Sequence, residues 1–366
     1  MINKKLILFM PFMGGGGVEK NLLIISEFLS KKYNNLYVCT CSKRFKKKFN
    51  KNIKFISTTK DLNNKVSLRF QYFISLYLLI KFLIKNKNSI VFAFQANIYC
   101  ILLCKLLGVK IIVRSNSSPS GWYHNFLKKI IYKKIISIAD AVIVNSKEFK
   151  KEMENKFKIK VHCIYNPLNF NEIIKLSKKK INYNFFKDKK SLKLINLGRF
   201  TKQKDQITIL KALKLLKNKI NFKLLIIGSG LEKNNLSSYL LKNKLNEKVK
   251  IINFRENPFN LLNKADIFIL SSKYEGLPNV LLEAAVLKKL IISTNCPTGP
   301  REILENGKGG IFFKIGDHHD LSNKIKFYLV NKKKFNKKIL HFFKSLKRFD
   351  YNKNLNKYYY IINAFM

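Results

Sequence analysis

The sequence predicts an α/β protein made of two doubly wound domains, and three observations carry that prediction. Short apolar runs rich in Ile, Val and Leu alternate with longer amphipathic stretches along the whole chain. The short runs are continuous rather than alternately polar, which marks strands buried on both faces of a parallel sheet. The 366 residues exceed one ordinary domain and suit two of roughly 150–200 residues each.

In the first half, strands are expected at 5–10, 36–40, 53–57, 90–94, 110–114, 141–145 and 161–164. In the second half they are expected at 192–197, 223–227, 249–254, 267–271, 290–294 and 311–314. Helical patterns fill the gaps; in 206–217, Ile207, Leu210, Leu213 and Leu216 recur at helical spacing. Strands joined by helices give parallel sheets covered on both sides. Asn166-Pro167 followed by a polar, lysine-rich run marks the boundary. The expected organisation is a first domain at 1–168, a linker at 169–190, a second domain at 191–345 and a C-terminal helix at 346–366 that crosses back to the first domain. Ligands of such sheets bind outside the carboxyl ends of the strands, so two facing sheets would enclose a cleft.

With 47% hydrophobic residues the chain can fill two cores. The formal charge of +51 first suggests nucleic acid. Lys, Asn, Ile, Phe and Tyr are all abundant together, however, as AT-rich coding produces, and the lysines are spread through every segment. No RNA-recognition, KH or zinc-finger pattern accompanies them, so nucleic acid is not the expected partner. A basic surface also suits the anionic cytoplasmic face of a membrane, where each nearby cation contributes ~1 kcal/mol. The first thirteen residues resemble the start of a signal peptide, but the apolar stretch is short and four glycines follow; a buried first strand fits better. The apolar run at 70–84 contains Lys81 and falls short of the ~20 residues a spanning helix needs, so it reads as a core helix or one lying on a membrane. Six cysteines without metal-type spacing point to reduced thiols in the cytosol.

The chemistry concentrates at 271–283. An apolar strand is followed by Ser271-Ser272-Lys273-Tyr274-Glu275-Gly276-Leu277-Pro278 and a helix carrying Asn279, Val280 and Glu283. Pro278 is expected at the first helical position, with the N–H groups of Asn279, Val280 and Leu281 pointing out of the helix end as phosphate donors. Two acids flanking an anion site suit a phosphorylated ligand with hydroxyls, such as a nucleotide sugar. Gly198 allows a tight strand exit, and Arg199 and Lys204 beyond it could clamp a diphosphate. Gly14 to Gly17 follow the first strand and let a ligand approach the backbone, although the loop lacks the spacing of the dinucleotide fingerprint. Gly228-Ser229-Gly230 reads as a plain turn. His318 and His319 read as a helix start with Asp320 near the cap. The sequence has no D-x-D, so no divalent metal is expected, and Ser146 lacks a nucleophile elbow.

Together these pieces resemble the retaining glycosyltransferases of family 4 (glycosyl transferases group 1), with the GT-B fold of two Rossmann-like domains facing each other across a cleft. The motifs occur in the family's order: the glycine loop with Glu19, Ile164-Tyr165-Asn166-Pro167, Gly198-Arg199 with Lys204, Glu275 to Glu283, and Cys296-Pro297-Thr298-Gly299-Pro300-Arg301-Glu302. The resemblance implies that Arg199 and Lys204 hold the donor diphosphate and that Glu275 contacts the transferred sugar. It assigns the backbone from Gly276 through Leu277, Pro278 and Asn279 to Val280 to sugar and phosphate, Glu283 to the ribose, and Arg255 to the base. Gly16 and Gly17 would approach donor phosphates or acceptor, with Glu19, Asn116 and His124 as candidates for acceptor or sugar contact. The family often has a His where Asn116 stands, with His124 further along, so both positions stay open.

The expected activity is transfer of a hexose or N-acetylhexosamine from a UDP-sugar to a glycan, lipid-linked or lipopolysaccharide-like, in the cytoplasm or at the inner membrane face. The nucleotide sugar is a co-substrate, and no other cofactor is expected. The rival readings are a GT-B nucleotide-sugar epimerase and a basic nucleic-acid-binding protein.

Overall fold

A computed structural model describes residues 4–13, 16–41, 43, 46–58, 67–116, 126–181 and 183–366. The strands are β1 (Lys5–Phe9), β2 (Leu36–Cys39), β3 (Lys54–Ile56), β4 (Ser89–Ala93), β5 (Lys110–Ser115), β6 (Ala141–Val144), β7 (His162–Cys163), β8 (Leu192–Leu197), β9 (Phe222–Gly228), β10 (Val249–Asn253), β11 (Ile267–Leu270), β12 (Leu290–Thr294) and β13 (Ile311–Phe313). The first helices are α1 (Gly17–Ser30), α2 (Leu68–Lys85), α3 (Asn97–Leu106), α4 (Phe126–Ser137), α5 (Lys147–Phe157), α6 (Phe170–Ser177) and α7 (Gln206–Leu216). They are followed by α8 (Lys233–Lys242), α9 (Phe259–Lys264), α10 (Asn279–Val286), α11 (Gly299–Ile303), α12 (His318–Val330), α13 (Lys332–Ser345) and α14 (Tyr351–Asn363). Every expected strand is present, with ends shifted by a residue or two.

The chain divides into two compact units, Met1–Pro167 with Tyr351–Met366, and Leu168–Asp350. Among the described residues the first holds a parallel sheet ordered β3-β2-β1-β4-β5-β6-β7, and the second one ordered β10-β9-β8-β11-β12-β13. Continuous apolar strands arise because both faces are covered. Leu6 and Leu8 of β1 enter one core, while Ile7 and Phe9 enter the other. The strand order reverses between β1 and β4 in the first sheet and between β8 and β11 in the second. Connections leave toward opposite faces at such a point, and a crevice opens at the carboxyl ends.

The stretch read as a linker at 169–190 belongs to the second unit and contains α6. Asn169 caps this helix by accepting from the Glu172 N–H at 3.1 Å. Ile173 is buried, α6 packs on α9 and α10, and Asn257 Nδ2 donates to the Leu176 carbonyl at 3.0 Å. Of the lysines that suggested a linker, Lys175 lies on the exposed side of α6, and Lys178, Lys179 and Lys180 follow its end, all exposed. The second unit also runs on to Asp350, past the boundary expected at 345.

α14 lies in the first unit, where Leu355, Tyr358 and Ile362 are fully buried beside residues of α1 and β1. Each aliphatic side chain buried this way contributes about 1.5–3 kcal/mol. Tyr358 also accepts from Arg114 Nε at 3.0 Å. Arg114 is wholly buried and, among the described residues, pairs with no carboxylate. Its guanidinium donates instead to Asn166 Oδ1 at 2.5 Å and to Asn116 Oδ1, and lies 5.8 Å from the centre of the Phe94 ring. A buried cation held only by neutral acceptors depends on every one of them. Tyr358→Phe should therefore lower the unfolding free energy by about 1.5–3 kcal/mol, read as a lower urea midpoint at unchanged slope.

Candidate active site

β8 and β11 are neighbours, with Ile267 opposite Leu194 and Phe268 opposite Ile195. Their carboxyl ends therefore bring the loops 198–205 and 271–278 together. The first loop is seated by Phe200, whose side chain is fully buried and whose N–H donates to the Ser229 carbonyl at 2.7 Å. The glycines at 228 and 230 form part of this seat, and the plain-turn reading is corrected. A Cβ on Gly228 would lie 1.9 Å from the Gly198 carbonyl oxygen, and one on Gly230, at φ +147°, would lie 2.3 Å from that of Phe200.

The two loops are stitched across the strand ends. Ser271 Oγ donates to the Lys204 carbonyl at 2.7 Å, the Lys273 N–H to the Gln203 carbonyl at 2.8 Å, and Gln203 Nε2 to the Tyr274 carbonyl at 2.9 Å. At the centre Lys204 Nζ donates to Glu275 Oε1 at 2.5 Å, and Ser272 Oγ donates to the same oxygen at 2.6 Å. Their side chains are only 16% and 8% exposed. Thr298 Oγ1 donates to the Glu275 carbonyl, fixing the backbone as well. Among the described residues Oε2 of Glu275 accepts no hydrogen bond, so one face of the carboxylate is left for a ligand. Cys296 is buried beside the pair, and burial first, then the Glu275 charge, push its thiol up to about 12.

α10 begins one residue later than the sequence suggests. Pro278 is the N-cap, at φ −71° and ψ 105°, and Asn279 is the first helical residue. The Leu281 N–H turns back to the Pro278 carbonyl at 3.1 Å, so it is not an outward donor. Asn279 and Val280 form the first turn of the helix. Glu283 is buried on the same helix. Gly299 packs directly under the turn: a Cβ there would lie 1.7 Å from the Gly276 carbonyl oxygen. Sequence reading gave no role to Ser272, Thr298 or Gly299, since their partners lie on other segments.

The remaining candidates are dispersed. Arg199 is exposed, and its carbonyl accepts from Gln206 Nε2 at 2.9 Å. Arg255 is exposed after the edge strand β10, with β9 and β8 between it and β11, and its charge acts on the Tyr183 hydroxyl. In the first unit Gly16 caps α1, Gly17 is exposed, and the buried Glu19 carboxylate folds back so that a Cβ on Gly16 would lie 2.9 Å from Oε2. Asn116 is turned inward: Oδ1 accepts from Arg114, and Nδ2 donates to the Phe94 carbonyl at 2.8 Å. Each end of that amide thus already has a protein partner. His124, with Gly14 and Gly15, lies outside the described residues. The His318 and His319 rings stand 4.4 Å apart at the start of α12, as read, with Asp317 the cap and Asp320 in the first turn. Among the described residues no three His, Cys, Asp or Glu side chains gather as metal ligands.

Residues 15–172 match the model of Glycosyltransferase Family 4, and residues 177–356 match that of Glycosyl transferases group 1. The chain is a GT-B glycosyltransferase. This glycosyltransferase is 26% identical to the N-acetylgalactosamine-N,N'-diacetylbacillosaminyl-diphospho-undecaprenol 4-alpha-N-acetylgalactosaminyltransferase of Campylobacter jejuni, over 90% of this chain and 91% of that protein. It is 38% identical to an uncharacterized glycosyltransferase of Methanocaldococcus jannaschii over 52% of this chain, a match spanning about half (49%) of that relative. Its fold superposes on Anabaena HepE in complex with UDP and glucose with a TM-score of 0.79 at 16% identity, covering 99% of this chain and 100% of that one.

Two outcomes follow from the geometry. Gly299→Ala should displace the 275–278 turn and destabilise the glycosyltransferase by about 1–3 kcal/mol, measured by denaturant unfolding. Cys296 stays a neutral thiol below about 12, so iodoacetamide at mildly alkaline pH should label it only after unfolding, as peptide mass mapping would show.

Proposed function

We propose that this glycosyltransferase is a retaining family 4 enzyme that moves a hexose or N-acetylhexosamine from a UDP-sugar to a glycan acceptor of surface polysaccharide synthesis. The observation that carries the reading is the buried Lys204–Glu275 pair beside the start of α10. Breaking the bond between sugar and nucleotide leaves negative charge on the departing diphosphate. Lys204, Arg199 and the first-turn N–H groups of α10 are assigned to that charge, which grows toward the transition state. Oε2 of Glu275 is assigned to a hydroxyl of the transferred sugar, the backbone from Gly276 to Val280 to sugar and phosphate, Glu283 to the ribose and Arg255 to the base. In the first unit, the loop after β1 with Gly16, Gly17 and Glu19 is assigned to phosphate or acceptor. With cations from the protein at the diphosphate, no divalent metal is required.

The acceptor is read as a lipid-linked or lipopolysaccharide-like glycan at the cytosolic face of the membrane. The Campylobacter relative, named for a diphospho-undecaprenol substrate, supports that class. The UDP and glucose bound to HepE support the donor class.

A thermal-shift screen should show a UDP-sugar raising the melting midpoint, since a ligand bound only to the folded state stabilises it. Lys204→Ala and Glu275→Gln should each cut kcat by about 100-fold or more. Because the pair is buried, Lys204→Ala also strands a carboxylate and should lower stability, whereas Glu275→Gln keeps the shape and separates the two effects. EDTA should leave the rate unchanged. Full activity in both variants, or epimerised donor formed without any acceptor, would overturn the assignment.

A further inference from the structure

α2 carries apolar side chains on its outward face as well as its inward one. Its inward face carries Gln71, Ser75, Leu79 and Leu83, spaced four apart and all buried. Ser75 Oγ donates to the Pro11 carbonyl at 3.1 Å, and Gln71 Oε1 accepts from Cys41 Sγ at 3.5 Å. The polar side chains are thus used inside the unit. On the opposite face Phe70, Phe73, Tyr77 and Ile84 are 56%, 69%, 61% and 57% exposed. At about 100° per residue these four and Lys81 fall within one stripe roughly 80° wide. α3 packs beside α2 and continues the surface with exposed Tyr99 and Leu106. An ordered, contiguous apolar face of this kind marks an interaction surface. Among the described residues no helix is long and apolar enough to cross a membrane, so this one would lie along its partner.

Charge identifies the partner. Arg69, Lys81 and Lys85 are exposed on α2, and Asp61 is the only acid in the sequence between Glu27 and Asp140. Pairing this face with a second copy of itself would set those cations against each other. Rings and aliphatic groups with Lys81 among them and Arg69 and Lys85 at their rim instead match the boundary of an anionic bilayer, where acyl chains take the rings and phosphates the cations. We infer that the outward face of α2 docks the protein onto an anionic lipid bilayer surface. The inference sharpens the membrane-side placement given above but uses nothing of the donor site, so binding is measured without donor or acceptor.

The full chain is sedimented with vesicles of phosphatidylglycerol and phosphatidylcholine, and with vesicles of phosphatidylcholine alone. The wild type should bind the anionic vesicles, and salt should weaken binding. The double variant Phe73→Ser with Tyr77→Ser should lower partitioning about tenfold or more, with an unchanged melting midpoint because both side chains are exposed. Lys81→Glu with Lys85→Glu should weaken binding similarly and reduce its salt dependence. Wild-type binding by both variants would overturn the proposal, because scattered lysines would then suffice. So would equal binding to the neutral vesicles, failure of the wild type to sediment, or a solution dimer that the Phe73→Ser with Tyr77→Ser variant disperses.

Discussion

The short ion pair between Lys204 and Glu275 exists because two strands far apart in sequence, β8 and β11, are neighbours in the second sheet. Removing either partner would leave the other as an unpaired buried charge. The cost of drying a carboxylate and an ammonium is met by each other and by the Ser272 hydroxyl on the same oxygen. The surrounding backbone bonds, from Ser271, Lys273, Gln203 and Thr298, hold both loops to that geometry. The glycines at 228, 230 and 299 serve the same end, because each admits a carbonyl where a side chain would stand. The loop after β8, the loop after β11 and the start of α10 therefore behave as one unit, and a change in any of them is felt at the carboxylate.

The first unit rests on a different solution to a buried charge. Arg114 ends β5 in the interior and is held by a tyrosine of the last helix, an asparagine of the following loop and Asn166 at the end of the unit. Segments that meet nowhere else in sequence are thereby fastened to one guanidinium. Asn116, placed after the fifth strand, takes part in that fastening through its Oδ1. The outward aromatic stripe of α2 is the counterpart on the surface: rings face out although the inward face already supplies leucines to the core.

Much of the architecture was legible in the sequence. A strand covered on both faces must be apolar throughout, and Leu6 to Phe9 or Ile267 to Leu270 satisfy that residue by residue, so the strands among the described residues and the α/β class could be read directly. Gly198, Lys204 and Glu275 were legible as candidates for a similar reason, since each sits between a strand end and a helix start, and Glu283 as the second acid on the helix that follows. Tertiary structure alone decided what those residues touch. No spacing within the chain says that Lys204 meets Glu275, that Ser272 and Thr298 complete the carboxylate's surroundings, or that Gly299 lies under Gly276. Those relations depend on strand order, which reverses between β8 and β11, and strand order leaves no local trace in sequence. The 169–190 segment shows the complementary failure: its lysines were visible, but the buried face of α6 becomes evident only once α9 and α10 are in place to cover it.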